Sequence, residues 1–186
     1  KVLGRGPSWS GEDIPVPFEV AQEVGAARRT LDIDRYGLSE DARKVLSDYL
    51  AGQTAEGIVM PTDDTITIET ENRIMVINAC FGTRVNETLG KLVAALLMSK
   101  QGEGLVVNAD PYRIMLQLPR PVSARMVEDI LMKTYPGHLE QLLRLYLKRS
   151  SYLRWKFIFV AKKFGALSKD VDYRMLNMDK VMQTFE

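Results

Sequence analysis

The 186 residues are 46% hydrophobic and 26% charged, an ordinary globular composition with enough chain for one substantial domain, or for a domain plus a helical appendage. No stretch approaches the roughly 20 apolar residues of a membrane span, and Gly4, Gly6 and Pro7 interrupt the first apolar run, so no signal-peptide pattern forms. The net charge of +1 conceals a polarity: residues 1–80 hold eight Lys or Arg against fourteen Asp or Glu, whereas residues 140–169 hold eight basic residues against Glu140 alone.

The chain opens on Lys1-Val-Leu-Gly-Arg-Gly, without an initiator Met, as an excised fragment would. Gly6-Pro-Ser-Trp9-Ser-Gly-Glu-Asp is an unusual loop, because its Trp lacks periodic apolar neighbours. Such a ring either stacks on a base or folds back over a hydrophobic edge. Pro15 and Pro17 open a helix over about 17–29, with Glu19 and Glu23 early and Arg28 and Arg29 late, as the helix dipole favours. A second helix starts at the N-cap candidate Ser39, carries Ala42, Val45, Leu46, Tyr49 and Leu50 as its apolar stripe, and stops at Gly52.

From Thr65 the period changes to two. Thr65–Glu71 alternates with Ile66 and Ile68 on one face, Arg73–Ala79 is a more apolar strand, and Glu71-Asn72 turns between them as a hairpin. A long helix over about 84–100 places Leu89, Leu92, Val93, Leu96 and Leu97 at core spacing. Strands follow at 105–108 and 112–118; in the second, Tyr112, Ile114, Leu116 and Leu118 oppose Arg113, Met115 and Gln117. Pro119 and Pro121 end the strand pattern. Helices are predicted at about 123–134 and 137–149, then a basic aromatic stretch at 150–165. Helices before, between and after strands give an α+β fold, with no repeat or low-complexity segment.

Complete catalytic motifs are missing from the sequence. Gly82-Thr-Arg-Val-Asn-Glu-Thr-Leu-Gly90-Lys91 has its glycines eight apart instead of five, and Leu92 replaces the magnesium-binding hydroxyl, so it is not a phosphate-binding P-loop. His138, the one histidine, lacks a Gly-x-Ser-x-Gly elbow and reads as a capping or surface residue, leaving a hydrolase as a remote alternative. Cys80 lies in an apolar strand, a core position more than a nucleophile's. As a single thiol it has no internal disulfide partner, which points to a reducing, cytoplasmic compartment. Asp63-Asp64 reads as a polar turn, with a metal seat as the alternative.

Two features remain for binding. The basic segment 140–169, which contains Arg154 and Lys156, suits a polyanion or forms a solvated helix surface. In Ala79-Cys-Phe-Gly-Thr-Arg84-Val-Asn86-Glu a strand runs through Gly82 into a helix, whose free amides and Arg84 would make a phosphate seat unless this is an ordinary strand-to-helix connection.

Four blocks, 9–25, 79–89, 109–114 and 153–157, resemble in this order the region behind the winged helix of the large helicase-related (Lhr) helicases, with wording closest to an archaeal member. The resemblance implies a superfamily 2 ATP-dependent DNA helicase of DNA repair, whose RecA-like motor and winged-helix domains would precede Lys1. ATP and Mg would belong to those domains, with no cofactor in this fragment. Residues 1–150 would be the DEAD/H-associated domain, a mixed or antiparallel β-barrel-like sheet with helices, and 151–186 the start of an incomplete basic helical appendage. Single-stranded DNA or a duplex junction would be the partner, with Trp9 stacking on a base and Arg5, Arg84 and Arg113 meeting phosphates; Asn86, Arg154 and Lys156 complete the candidate contacts. The alternative is a structural or protein-interaction domain bracing the motor and winged helix.

Overall fold

The computed structural model describes residues 14–149, 151–172, 176, 177 and 181. The elements run α1 (Phe18–Thr30), α2 (Glu40–Ala55), β1 (Thr67–Glu71), β2 (Ile74–Asn78), α3 (Thr83–Gln101), β3 (Val106–Asp110), β4 (Arg113–Gln117), α4 (Ala124–Lys133), α5 (Leu139–Arg149) and α6 (Ser151–Lys163). The α+β class is as the sequence implies. The sheet is wholly antiparallel, in the order β1-β2-β4-β3, and it is open where a barrel-like closure was expected.

Two hairpins build this sheet. The first turns at Asn72-Arg73, one residue later than the sequence reading, and Asn72 takes the left-handed conformation at φ 53°. Asn tolerates that region better than most side chains. Because β2 and β3 are each antiparallel to β4, they run parallel to one another with β4 between them, and α3 makes the connection.

Strand alternation separates two faces. Met75, Ile77, Ile114 and Leu116 are fully buried, and they pack with Val93 and Leu97 of α3 and Val127 and Ile130 of α4. Each such side chain stabilises the fold by about 1.5–3 kcal/mol. The opposite face stays open. It presents Ile74, Val76 and Asn78 on β2 beside Gln117, Met115 and Arg113 on β4, flanked by Glu69 and Glu71 on β1. Asn78 secures this face locally by donating from Nδ2 to Thr67 Oγ1 at 3.0 Å and to Glu69 Oε1 at 2.7 Å.

The α1–α2 unit is attached by close backbone approach. A Cβ on Gly25 would lie 2.4 Å from the backbone N of Asp63, so α1 rests directly on the 62–63 turn. Arg29 closes the same junction, donating from Nε and Nη2 to the two oxygens of Asp63 at 2.8 Å each, and this bond holds the Asp63 carboxyl below its ordinary range. The Asp63-Asp64 turn is thus an ion-pair partner, with Asp64 accepting from the hydroxyls of Thr62 and Thr65. Ser39 caps α2 as predicted, its Oγ accepting from the Ala42 amide at 3.3 Å. The helix then passes through Gly52 to Ala55. Its predicted apolar stripe is only partly covered: Leu50 is buried, whereas Val45 is 70% exposed.

The deepest polar contact is made by Asn86. Its side chain is fully buried, and Nδ2 donates to Ala79 O and Asp110 O at 2.9 Å each, joining the end of β2 to the end of β3 from the first turn of α3.

In urea titration, Gly25→Ala should lower stability by about 1–3 kcal/mol, because the clash is with backbone, whereas Gly52→Ala, with open space around its Cβ, should raise it by up to about 1 kcal/mol. Asn86→Ala should cost about 1–3 kcal/mol, since the two hydrogen bonds that join the strand ends are lost. Asn86→Asp should cost at least as much, because a carboxylate would face both carbonyl oxygens.

Candidate nucleic-acid interface

The strand-to-helix passage at 79–86 turns out to be tied down from several sides. Gly82 adopts φ 80°, and a Cβ there would meet Val16 O at 2.7 Å. The Thr83 amide donates to Val16 O at 3.0 Å, and the Val16 amide donates back to Thr83 Oγ1 at 2.9 Å. Gln22 Nε2 donates to Cys80 O at 2.7 Å, and the Gly82 amide to Pro111 O at 2.9 Å. The segment before α1 therefore occupies the start of α3. Of the amides offered as a phosphate seat, that of Thr83 already has a partner, and so the passage serves first as a structural junction.

The named candidates fall into separate groups. Asn86 presents no surface in this structure. Arg84 is exposed beside a cleft of about 420 Å³ lined by Pro15, Val16, Pro17, Phe18, Phe81 and Val85. The Phe18 and Phe81 rings stack there with centroids 6.1 Å apart. Arg113 is at the same end of the sheet but on its open face, exposed and ion-paired with Asp110. Arg154 and Lys156 are on α6, away from the sheet, with Arg154 half-buried and Lys156 exposed. Trp9 and Arg5 lie outside the described residues.

Among the cation–ring contacts that sequence reasoning passed over, two adjoin the candidate groups. Arg28 stacks on Tyr112 with its guanidinium carbon 5.5 Å from the ring centroid, and donates to Cys80 Sγ at 3.5 Å. It borders a polar cleft of about 230 Å³ that also holds Asn78, Glu69, Asp110 and Arg113, so the two arginines share the space with two carboxylates. On α6 the Lys156 ammonium lies 5.1 Å from the Trp155 ring centroid, and Trp155 packs edge-on against Phe159 at 4.7 Å. The i,i+4 spacing of Trp155 and Phe159, with lysines nearby, was the available signal for the second contact. Arg28 and Tyr112 are 84 positions apart in the sequence, and no local pattern marks them.

The remaining chemistry is structural. Cys80 is buried, its Sγ 3.9 Å from Pro61 O, and burial pushes the thiol up despite the opposing influence of Arg28. His138 is exposed, its ring edge-on to Tyr135 at 5.3 Å. Gly90 is inside α3 against the sheet, where a Cβ would meet Val107 Cγ1 at 2.8 Å and Ile114 Cγ2 at 2.9 Å. Gly90-Lys91 is thus helix packed on strands and does not fit a nucleotide phosphate. Among the described residues, no group of three or more His, Cys, Asp or Glu could hold a metal ion. Likewise, no helix among them is long and apolar enough to cross a membrane.

No curated protein matches the chain. Among solved structures, 85% of it superposes on the Mycobacterium smegmatis helicase Lhr bound to single-stranded DNA and AMP-PNP, with a TM-score of 0.62 and 22% identity. That likeness establishes a shared fold, and the chain spans 22% of the length of the helicase chain. The family model described as DEAD/H associated matches residues 60–185, from the turn before β1 through α6 and beyond. The chain belongs to the DEAD/H associated family and is a helicase-related domain.

Proposed function

We propose that this chain is the accessory domain of an ATP-dependent Lhr-type DNA helicase, and that it grips single-stranded DNA while RecA-like motor domains translocate. Membership of the DEAD/H associated family carries this reading. The fold shared with a helicase solved on single-stranded DNA supports it. ATP and Mg act in the motor, consistent with Gly90-Lys91 being packed inside a helix here. The DNA-facing groups are the exposed Arg84 and Arg113 at the sheet end, Lys156 on the basic appendage that starts at 151, and Trp9 and Arg5. Among these, Arg113 has to exchange Asp110 for a phosphate before it contributes.

A bracing role toward the winged helix and motor is the second reading, and one observation favours it. Between α1 and α2 lies an apolar cleft of about 370 Å³, lined in part by Val20, Val24, Ala27, Leu38, Leu46 and Tyr49. The exposed Phe18 and Val45 belong to the same two helices. Exposed apolar surface of this kind marks contacts with other domains.

The two readings predict different salt behaviour. Single-strand binding releases counterions with a log–log slope of roughly −0.7 per contacted phosphate, so four contacts give about a 50-fold loss of affinity for a fourfold rise in salt. Fluorescence anisotropy with a labelled oligothymidylate at 50 and 200 mM salt, concentrations at which the phosphate term is large, measures it. A flat response, or no binding, favours the bracing role.

A further inference from the structure

The α6 helix is apolar on two faces, and among the described residues only one is used in the fold. Ile158 and Ala161 are buried at 8% and 5% exposure, which seats the helix. On the other side Trp155 is 50% exposed and Phe159 56%. A helix that is apolar all round is normally enclosed, and two large aromatics left in water are the exception that needs a partner. The rings are ordered against each other, edge to face at 65° with centroids 4.7 Å apart. Four residues of helix separate them by about 6 Å along the axis. Lys163, exposed, continues the same stripe one turn on, and Lys156 lies over the Trp155 ring. Lys162 turns the other way and fixes the helix end, its ammonium donating to Lys169 O at 3.0 Å and Val171 O at 2.7 Å. The helix holds no Asp or Glu from Ser151 to Lys163.

We propose that the Trp155–Phe159 face of α6, with Lys156 and Lys163, is a base-stacking station for an unpaired polynucleotide strand. It deepens the DNA-gripping function proposed above, and rests on it. Charge complementarity selects the occupant. An apolar protein surface would satisfy the rings alone, whereas a strand offers flat bases to the rings and phosphates to the flanking ammonium groups. A duplex keeps its base faces inside its own stack, so the station discriminates single from double strands without reading sequence. Trp9, assigned to stacking by resemblance, is in a different part of the chain, and a strand held at both places would be gripped at two points.

The test uses the full 186-residue chain, whose two indoles are Trp9 and Trp155, beside a Trp155→Phe variant, so that the Trp155 fluorescence is read by difference. Oligothymidylate should bind by anisotropy and quench the Trp155 fluorescence, and a duplex of equal length should quench it less. In the natural chain, Trp155→Ala and, as a milder change, Phe159→Leu should weaken single-strand binding, the first by about ten- to a hundredfold. Photocrosslinking with 5-iodouracil-substituted strand should place adducts on the peptide that contains Trp155 and Phe159. Binding without quenching, with adducts elsewhere and parental affinity in both variants, overturns the station while leaving DNA binding by the domain intact. Failure to bind any strand overturns both. Concentration-dependent dimerisation that buries Trp155 would assign the face to a second copy, and equally overturns the station.

Discussion

Everything at the centre of this fold depends on one buried side-chain amide. The sheet comprises two hairpins that are distant along the chain and joined by α3. Backbone pairing between β2 and β4 aligns them, but it does not fix where the helix enters. Asn86 does so, because its two amide hydrogens go to carbonyls at the ends of β2 and β3. Ala79 O also accepts from the Phe81 amide at 2.9 Å, but loss of the two side-chain hydrogen bonds would still cost on the order of 1–3 kcal/mol. The angle of α3 over the sheet, and so the placement of Val93 and Leu97 in the core, follows from that geometry.

The same junction explains why α1 is where it is. Gly82 has no Cβ, so the Val16 carbonyl reaches the backbone at the start of α3, and Thr83 returns a hydroxyl to the Val16 amide. Helix starts offer unpaired amides, and here the chain supplies its own acceptor. Two glycines thus do equivalent work along α1: Gly82 admits the segment before it, and Gly25 lets its middle rest on the 62–63 turn. Exchange of either for a larger residue would push α1 away from the sheet, and with it the Arg28–Tyr112 contact.

Much of the fold was legible because burial follows local periods. The alternation in 112–118 identified Ile114, Leu116 and Leu118 as inward, and all three are buried. Helical spacing found Leu92, Val93 and Leu97. Ser39 was readable from its cap chemistry. What failed has a physical source. The hairpin turn slipped by one residue because Asn72 is the position that accepts a positive φ. The sheet is open because β1 and β3 are its edges and do not pair, a long-range fact with no local signature. At the site, the sequence picked out Asn86 on motif grounds, but burial depends on three segments converging and cannot be read from one. The exposed Arg84 and Arg113 were identifiable as cations, whereas the ion pair of Arg113 with Asp110 needed the β3–β4 turn.

The charge asymmetry of the chain acquires a structural meaning from this layout. Within the acid-rich first 80 residues lie α1, α2 and the first hairpin, where carboxylates are engaged by Arg29, Arg35 and Arg43. Those cations are thereby neutralised for a polyanion. The later basic segment includes an intrahelical pair, Arg144 with Glu140, but α6 has no acid of its own. A net charge of +1 therefore gives a poor account of the field a strand would meet, since screening over about 8–10 Å at ordinary salt makes local balance decisive. The local balance is positive on the one helix that also exposes two ordered aromatic rings. Attraction for phosphate and surface for bases thus coincide on α6, whereas at the sheet end Arg28 and Arg113 share their space with Glu69 and Asp110.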